Sequence, residues 1–197
     1  SNPTIEEREE YERPLDDGIV VYAGVDYEAI SELAADDGDV IIWDGGNNDF
    51  AFYRPDLTIT VVDPLRPGHE RAFHPGEVNL RLADVVVVNK IDSASNDAVA
   101  QVITNVHEVN PAATIVRAAS PVVLAGEGSL VGKKVLVVED GPTITHGGMP
   151  FGAGTVAAHH AGVADFVDPR PVAVGSLADT YRKYPHIGPV LPAIGYG

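Results

Sequence analysis

Four consecutive valines, Val85-Val86-Val87-Val88, constrain the fold of this chain more than any other segment. An uninterrupted run of β-branched residues is typical of a strand that is buried on both faces of a parallel sheet. Short apolar runs and helical patterns alternate along the rest of the sequence. This alternation predicts an α/β fold with a mostly parallel sheet flanked by helices. We therefore expect functional loops at the carboxyl ends of the strands, where open α/β sheets bind ligands.

The segment that follows the valine run, Asn89–Asp92, has the N-K-x-D pattern with which GTP-binding proteins recognise guanine. The Asp92 carboxylate can accept two hydrogen bonds, from the N1–H and the exocyclic amine of guanine. The stem of Lys90 can lie along the base, and Asn89 can brace the loop. The alternative is a plain strand end, with Asp92 or Ser93 as the N-cap of the next helix.

The alternation of apolar runs and helical patterns predicts the strands and helices and the division of the chain into two regions. The predicted strands are 19–23, 40–43, 57–62, 85–88, 114–117, 135–139, 164–167 and 190–191, and the predicted helices are 4–12, 26–35, 76–83, 96–109, 152–161 and 176–183. In a guanine-binding domain, the loop after the strand that follows N-K-x-D contacts the base oxygen, which selects Ser120. We expect residues 1–120 to form a partial nucleotide-binding region. Residues 121–197 would be a C-terminal α/β extension on the same sheet or a small lobe.

The charge of the chain narrows its partners. Its formal charge is −16, from 29 acidic and 13 basic residues, and only four of the bases are lysines. A dispersed acidic surface favours a protein adapted to high salt, as in halophilic archaea, and an ordinary acidic protein is the alternative. It argues against nucleic acid and anionic membranes as partners. No apolar run approaches a membrane span, and the first residues are polar, so we expect a cytoplasmic protein. The sequence is compatible with a homo-oligomer.

Other candidate residues lie in the loops after predicted strands. Asp44 follows the apolar run 40–43 as a Walker B aspartate would, and such a carboxylate holds Mg²⁺. Asp63 repeats the pattern and is a second metal or substrate candidate, with a turn at Asp-Pro as the alternative. The following loop contains Arg66 and His69, which can bind phosphate, although surface ion pairs are an equal alternative for the arginine.

A glycine-rich loop provides a further candidate. His146, Gly147 and Gly148 precede an alanine-rich predicted helix, whose first backbone N–H groups could bind an anion. The alternative is a flexible connection. The phosphate-binding motif G-x-x-x-x-G-K-[ST] does not occur in the sequence. Either the protein is not a P-loop enzyme, or the chain starts after its P-loop. The charged helical N-terminus favours the second, so we expect a P-loop NTPase-like fold that is incomplete at the N-terminus.

Longer motifs resemble the archaeal and bacterial cyclic 2,3-diphosphoglycerate synthetase family. They are residues 43–50 (WDGGNNDF), 63–70 (DPLRPGHE), 89–92 (NKID), 138–149 (VEDGPTITHGGM), 168–176 (DPRPVAVGS) and 184–192 (YPHIGPVLP). The resemblance implies a P-loop NTPase of the signal-recognition and MinD-like class, cut after its Walker A segment. It implies a nucleotide-dependent phosphoryl-transfer enzyme or ligase that closes a phosphoanhydride in a small phosphorylated acid resembling 2,3-diphosphoglycerate.

The resemblance also implies roles for individual residues. Asp44 would position Mg²⁺. Arg66, His69 and Arg170 would hold substrate phosphates, and His146 with the Gly147 and Gly148 amides would bind another. The namesake enzyme uses ATP whereas N-K-x-D indicates GTP, so the nucleotide is ATP or GTP. The alternative function is a regulatory or metallochaperone-type GTPase. Without Walker A, we expect the isolated chain to be inactive.

Overall fold

The computed structural model describes residues 5–46, 49–126, 128–145 and 148–193. The chain divides into two compact units, Ser1–Ala119 and Ser120–Gly197. The first unit contains α1 (Ile5–Asp16), α2 (Tyr27–Asp37), β1 (Ile59–Val62), α3 (His69–Ala72), α4 (Gly76–Leu82), β2 (Val85–Val88), α5 (Asn96–Val109) and β3 (Thr114–Arg117). The second contains β4 (Lys134–Val135), β5 (Val138–Asp140), α6 (Gly141–Thr145), α7 (Ala153–His160), β6 (Asp165–Phe166), a 3-10 turn (Arg170–Val172), α8 (Gly175–Lys183) and β7 (Leu191–Ala193).

The first unit is built on a parallel sheet with the strand order β1-β2-β3. The register aligns Val62 with Val88 and Val88 with Arg117, so the three strands end side by side. The valine run is therefore the central strand, as its composition predicts. The loops that follow the three strands leave the sheet at one common edge.

Burial of one sheet face stabilises this unit. Val86 and Val88 are completely buried, and they form a core with Leu80 of α4 and with Val102 and Val106 of α5. Each such side chain contributes about 1.5–3 kcal/mol through removal of apolar surface from water. Helix α5 begins where the Ser95 hydroxyl accepts a hydrogen bond from the Ala98 N–H at 3.2 Å. Asp92 and Ser93 therefore do not cap this helix.

The opposite sheet face differs from the expectation. The valine run predicts burial on both faces, but Val85 and Val87 are only half-buried. On the neighbouring strand, Ile59 is 56% exposed and Val61 is 61% exposed. The reason is that α4 and α5 pack on the face that carries Val86 and Val88, and the described part of the first unit provides no equivalent layer for the other face.

Two predicted strands are wrong. Residues 19–23 and 40–43 form no strand, and within the described residues neither segment pairs with another. Val40 and Ile42 are 79% and 80% exposed. An apolar run becomes a strand only when a neighbouring strand satisfies its backbone groups, and sequence alone does not reveal whether that neighbour is present.

The second unit contains two separate two-stranded parallel pairs, β4 with β6 and β5 with β7. The predicted strand 135–139 is broken between Val135 and Val138, and each part pairs with a different partner. Its core contains Val137, Ile144, Ala158, Ile187 and Val190. Across both units, parallel strands are flanked by helices, which confirms the predicted α/β class. None of the described helices has the length and apolar character required to cross a membrane.

Asn110 connects three elements of the first unit. Its backbone N–H donates to Val106 O at 2.7 Å and ends α5. Its buried side-chain amide donates to Leu80 O at 3.0 Å and to Ala83 O at 2.8 Å, at the end of α4 and just before β2. A single polar side chain thus fixes the spacing between two helices and the central strand.

We predict that Asn110→Ala lowers the free energy of unfolding by about 2–4 kcal/mol, because it leaves buried carbonyl groups without their donor. Urea denaturation followed by the fluorescence of Trp43, the one tryptophan in the sequence, measures the change. The matched control is Asn96→Ala in the exposed first turn of α5, where a change below about 0.5 kcal/mol is expected. Equal effects of the two substitutions would contradict this role of Asn110.

Candidate functional site

The three loops at the carboxyl edge of the β1-β2-β3 sheet are joined by backbone hydrogen bonds. Asn89 N donates to Val62 O at 3.1 Å, and Ala118 N donates to Val88 O at 2.9 Å. Ile91 N donates to Ala118 O at 3.2 Å. The N-K-x-D loop therefore lies between the loop that starts at Asp63 and the loop that starts at Ala118. This is the adjacency that base recognition by Asn89–Asp92 requires.

Lys90 adopts an unusual backbone conformation. Its φ angle is 55°, the one positive value at a non-glycine residue among the described residues. The left-handed region costs a non-glycine residue roughly 1–2 kcal/mol. The Lys90 carbonyl accepts hydrogen bonds from Ser93 N at 3.0 Å and from Ala94 N at 3.1 Å, which close a tight turn. This turn reverses the chain directly after β2 and presents residues 90–92 at the edge of the sheet.

Asp63 is paired with two cations. Its Oδ2 accepts hydrogen bonds from Lys90 Nζ at 3.1 Å and from Arg66 Nη2 at 3.1 Å, and its Oδ1 accepts one from Leu65 N at 3.0 Å. Burial acts to raise the pKa of the Asp63 carboxyl, but these hydrogen bonds and the two positive charges outweigh it, and the pKa is lowered. The carboxylate is thus held in its ionised form.

The loop after Asp63 is also fixed to α5. Glu70 accepts a hydrogen bond from Asn105 Nδ2 at 2.5 Å, and Arg71 Nη1 donates to Glu108 at 2.5 Å. His69 is the first residue of α3, and its ring packs edge-on against Phe73 with a centroid distance of 5.0 Å. Arg66, Asp63 and Lys90 are therefore brought together, whereas the described contact of the His69 ring is with an apolar neighbour.

The metal candidates do not form a cluster. No group of three or more His, Asp or Glu side chains within the described ranges is placed to hold a metal ion. Asp44 is exposed on a segment that does not form the predicted strand, next to Trp43, whose ring contacts Phe52. Both oxygens of Asp63 already accept hydrogen bonds. The metal roles of Asp44 and Asp63 stay predictions, and the contacts of Asp63 favour an ion-pair role.

The remaining candidates belong to the second unit. Arg170 forms a two-pronged ion pair with Asp168, with Nε at 2.8 Å and Nη2 at 2.7 Å from the carboxylate oxygens. The hydrogen bond from the Arg170 side chain lowers the pKa of Asp168. Gly148 has a φ angle of 67°. His146 and Gly147 lie outside the described residues. Ser120 already interacts with another part of the chain. Their proposed binding roles stay predictions.

Glu139 is a buried acid that the sequence patterns did not single out. It is 3% exposed, and its carboxylate accepts hydrogen bonds from Gly154 N at 3.1 Å, Thr155 N at 2.7 Å and Thr155 Oγ1 at 2.6 Å. It therefore satisfies the first turn of α7 and complements its dipole. A Cβ atom at Gly154 would lie 3.0 Å from Val137 Cγ1 and 3.1 Å from Val138 O, so glycine allows this close approach without displacement of its neighbours. The available signal was an acid within an apolar strand that precedes a glycine-rich helix start.

The hydrogen bonds of Glu139 affect the anion site predicted at the start of α7. An anion at the start of α7 would compete with the Glu139 carboxylate for the Gly154 and Thr155 amides. The repulsion between two negative charges would add to that competition. The Gly154 and Thr155 amides of α7 thus serve an internal carboxylate.

The first unit has a parallel sheet whose loops meet at one carboxyl edge, which is where open α/β domains bind ligands. Residues 40–117 match the family described as the CobW/HypB/UreG nucleotide-binding domain. This range contains the sheet of the first unit and the N-K-x-D loop. Nucleotide binding is therefore the ligand class that the N-K-x-D pattern and the matched family model both indicate.

A more specific similarity comes from a relative. The chain is 59% identical, over 194 residues and 98% of its length, to a protein named arginine synthetase ArcE from Thermococcus kodakarensis. The aligned part is 43% of that protein, so the chain spans less than half of this curated relative. The relative is an enzyme by its name, and the chain shares nearly its whole length with part of it.

This similarity overturns the resemblance to the cyclic 2,3-diphosphoglycerate synthetases. The relative's name contradicts the phosphoanhydride-forming reaction on a small phosphorylated acid, and it does not describe a regulatory or metallochaperone-type GTPase. The structure provides a physical reason for the error. Arg66 and Arg170 stand in motifs that we interpreted as phosphate-holding, but both are paired with acids of their own loops, Asp63 and Asp168.

We predict that Asp63→Asn lowers stability at neutral pH and that the deficit shrinks in acid. The folded-state pKa lies below the unfolded value of about 3.9, so the stabilisation is present above that pH and disappears as the pH falls through the folded pKa. Urea titrations at several values between pH 7 and pH 3 measure the difference. Asp97→Asn, in the first turn of α5, controls for the net charge. A deficit that stays constant with pH would contradict the lowered pKa.

We predict that Glu139→Gln weakens the start of α7, because an amide cannot accept all three hydrogen bonds that the carboxylate accepts. A local loss of about 2–4 kcal/mol is expected. Hydrogen exchange of the α7 amides measures it as faster exchange. The control is Asp165→Asn, which breaks an exposed ion pair with Lys134 and should cost less than about 1 kcal/mol. Unchanged exchange in α7 would show that Glu139 is not its anchor.

Proposed function

We propose that this chain forms the base-binding part of the nucleotide site in an NTP-dependent synthetase whose product is arginine or a close analogue. The observation that carries the proposal is the N-K-x-D loop, held between Asp63 and Ala118 at the carboxyl edge of a parallel sheet. The arginine assignment is supported by the 59% identity to a protein named arginine synthetase. The two parts of the proposal are independent and can fail separately.

The loop geometry supports recognition of a purine by its edge. Asn89 is fixed to β1 through its backbone, and Ile91 is fixed to the Ala118 loop. Asp92 stands beyond this tether, where its carboxylate would accept hydrogen bonds from the N1–H and amine of guanine. Adenine presents no N1–H, so its edge would leave that acceptor without its donor. The loop therefore favours GTP over ATP.

The phosphates need another partner. The sequence has no G-x-x-x-x-G-K-[ST], and no three or more His, Asp or Glu side chains among the described residues are grouped to hold a metal ion. In the proposed enzyme, the phosphate cradle belongs to polypeptide beyond these 197 residues. This is consistent with a relative of which the chain matches 43%.

The charge of the chain suits a cationic product such as arginine better than a small phosphorylated acid. With a formal charge of −16, the surface attracts a cation and gives no long-range attraction to a polyanion, so the nucleotide phosphates depend on local contacts. Arginine carries a guanidinium group that is ionised at all physiological pH values. Long-range attraction of the product is compatible with synthesis, because the release rate depends on local contacts rather than on the distant field.

The nucleotide part is tested by calorimetry on the full-length protein that contains this chain. We expect GTP to bind more tightly than ATP in the presence of Mg²⁺. Asp92→Ala should weaken GTP binding about 10- to 100-fold and leave ATP binding nearly unchanged, because it removes the guanine-specific acceptor. The control is Asp97→Ala, five residues further along the chain. Tighter binding of ATP would contradict the guanine assignment.

The arginine part is tested by thermal unfolding of the same full-length protein with saturating nucleotide. L-arginine should raise the midpoint as a bound product does, whereas L-lysine, a cation of equal charge, should have a smaller effect. Equal shifts with the two amino acids would indicate a general cation effect and would reject the arginine assignment.

A further inference from the structure

The side chain of Lys90 spans two strands of the sheet. Its Cα follows β2, and its Nζ lies 3.1 Å from Asp63 Oδ2, directly after the neighbouring strand β1. Adjacent strands are about 4.8 Å apart, a distance that an extended lysine stem can cross. The four methylene groups therefore lie along the carboxyl edge of the sheet, and the ammonium is fixed at the far end.

The Lys90 side chain is fixed at both ends. At its backbone, the left-handed conformation is held by the hydrogen bonds of Asn89 N to the end of β1 and of Ile91 N to the Ala118 loop. At its tip, Asp63 is only 21% exposed and also accepts hydrogen bonds from Arg66 and Leu65. An exposed lysine normally retains rotamer freedom, and a side chain that is already ordered loses less conformational entropy when a ligand binds.

We propose that Asp63 is a positioning residue that holds the Lys90 stem as an apolar platform for the purine ring. The inference rests on the proposed function, because it assigns the ring to the same loop. Lys90 would contact the base, and Asp63 would act through Lys90 without contacting the nucleotide. This assignment replaces a metal role for Asp63, since its Oδ2 faces two cationic side chains.

The pairing has a second consequence for the Arg66 loop. Arg66 donates to the same Oδ2 that receives the Lys90 ammonium, so the two cations share one acceptor. The Arg66 loop continues into α3, which Glu70 and Arg71 fix to α5. A displacement of this loop would therefore shift the Lys90 side chain through the shared Asp63 carboxylate.

The ordering of Lys90 can be tested on the chain itself, without nucleotide. The sequence has only four lysines, so Cε-labelled lysine gives four NMR signals. We expect the Lys90 signal to report a rigid side chain, and Asp63→Asn to make it as mobile as the others. Lys134, in an exposed pair with Asp165, is the matched control, and Asp165→Asn should leave Lys90 unchanged. A mobile Lys90 in the unaltered chain would overturn the proposal.

The role in nucleotide binding is tested with a double-mutant cycle on the full-length protein, with GDP as the probe. We expect Asp63→Asn to weaken GDP binding about 3- to 10-fold, and to have no further effect once Lys90→Met is present. Asp63→Glu, which retains the charge, should restore part of the affinity. Asp84→Asn removes a carboxylate that accepts from Thr58 N at the opposite edge of the sheet, and it should leave GDP binding unchanged.

Measurements with Mg²⁺ and with EDTA separate this role from metal binding. A positioning role predicts the same loss for Asp63→Asn in both conditions. A loss that disappears in EDTA would identify Asp63 as a metal ligand and overturn the inference, and so would an undiminished loss in the Lys90→Met background. If unaltered protein binds neither GDP nor GTP, the proposed function fails together with the platform, whereas the lysine NMR signals still report the ion pair separately.

Discussion

The packing of α4 and α5 on one face of the valine-rich sheet is the interaction on which the rest of the first unit depends. Val86 and Val88 are completely buried under these helices, and this burial fixes the register that brings three strands to a common edge. The N-K-x-D loop then has a defined neighbour on each side. The core therefore determines where the loop is presented.

The ion pairs in the loops of both units follow from the scarcity of basic residues. In a chain with 29 acids and 13 bases, a cation close to a loop backbone will usually find an acid to pair with. Asp63 and Asp168 each take an arginine from their own loop, and Asp63 also takes Lys90. The arginines that sequence patterns suggest as phosphate ligands are thus partly neutralised before any ligand arrives. An anionic ligand would have to displace these partners.

The sequence predicted structure best where the pattern within a segment is sufficient to determine its secondary structure. The β2 and β3 strands and α5 have the predicted bounds, because valine-rich runs and amphipathic periodicity reflect burial that is actually present. Residues 19–23 and 40–43 failed because a strand depends on a partner elsewhere. In the site, the adjacency of Asn89–Asp92 and Ala118 followed from parallel strand order. The Asp63–Lys90 pair and the burial of Glu139 could not be predicted, because they join residues 27 positions apart or depend on packing around a helix start.

The exposed sheet face adds an apolar surface to a chain that is otherwise strongly acidic. Ile59 and Val61 are more than half exposed, in a chain whose formal charge is −16. In dilute buffer, the charge keeps copies of the chain apart. At molar salt, the screening length falls to about 3 Å, and salting-out ions strengthen attraction between apolar surfaces. Salt thus weakens the electrostatic repulsion between copies and strengthens the attraction between their apolar surfaces. The tendency of this chain to associate therefore depends on the exposed apolar face of the sheet as well as on net charge.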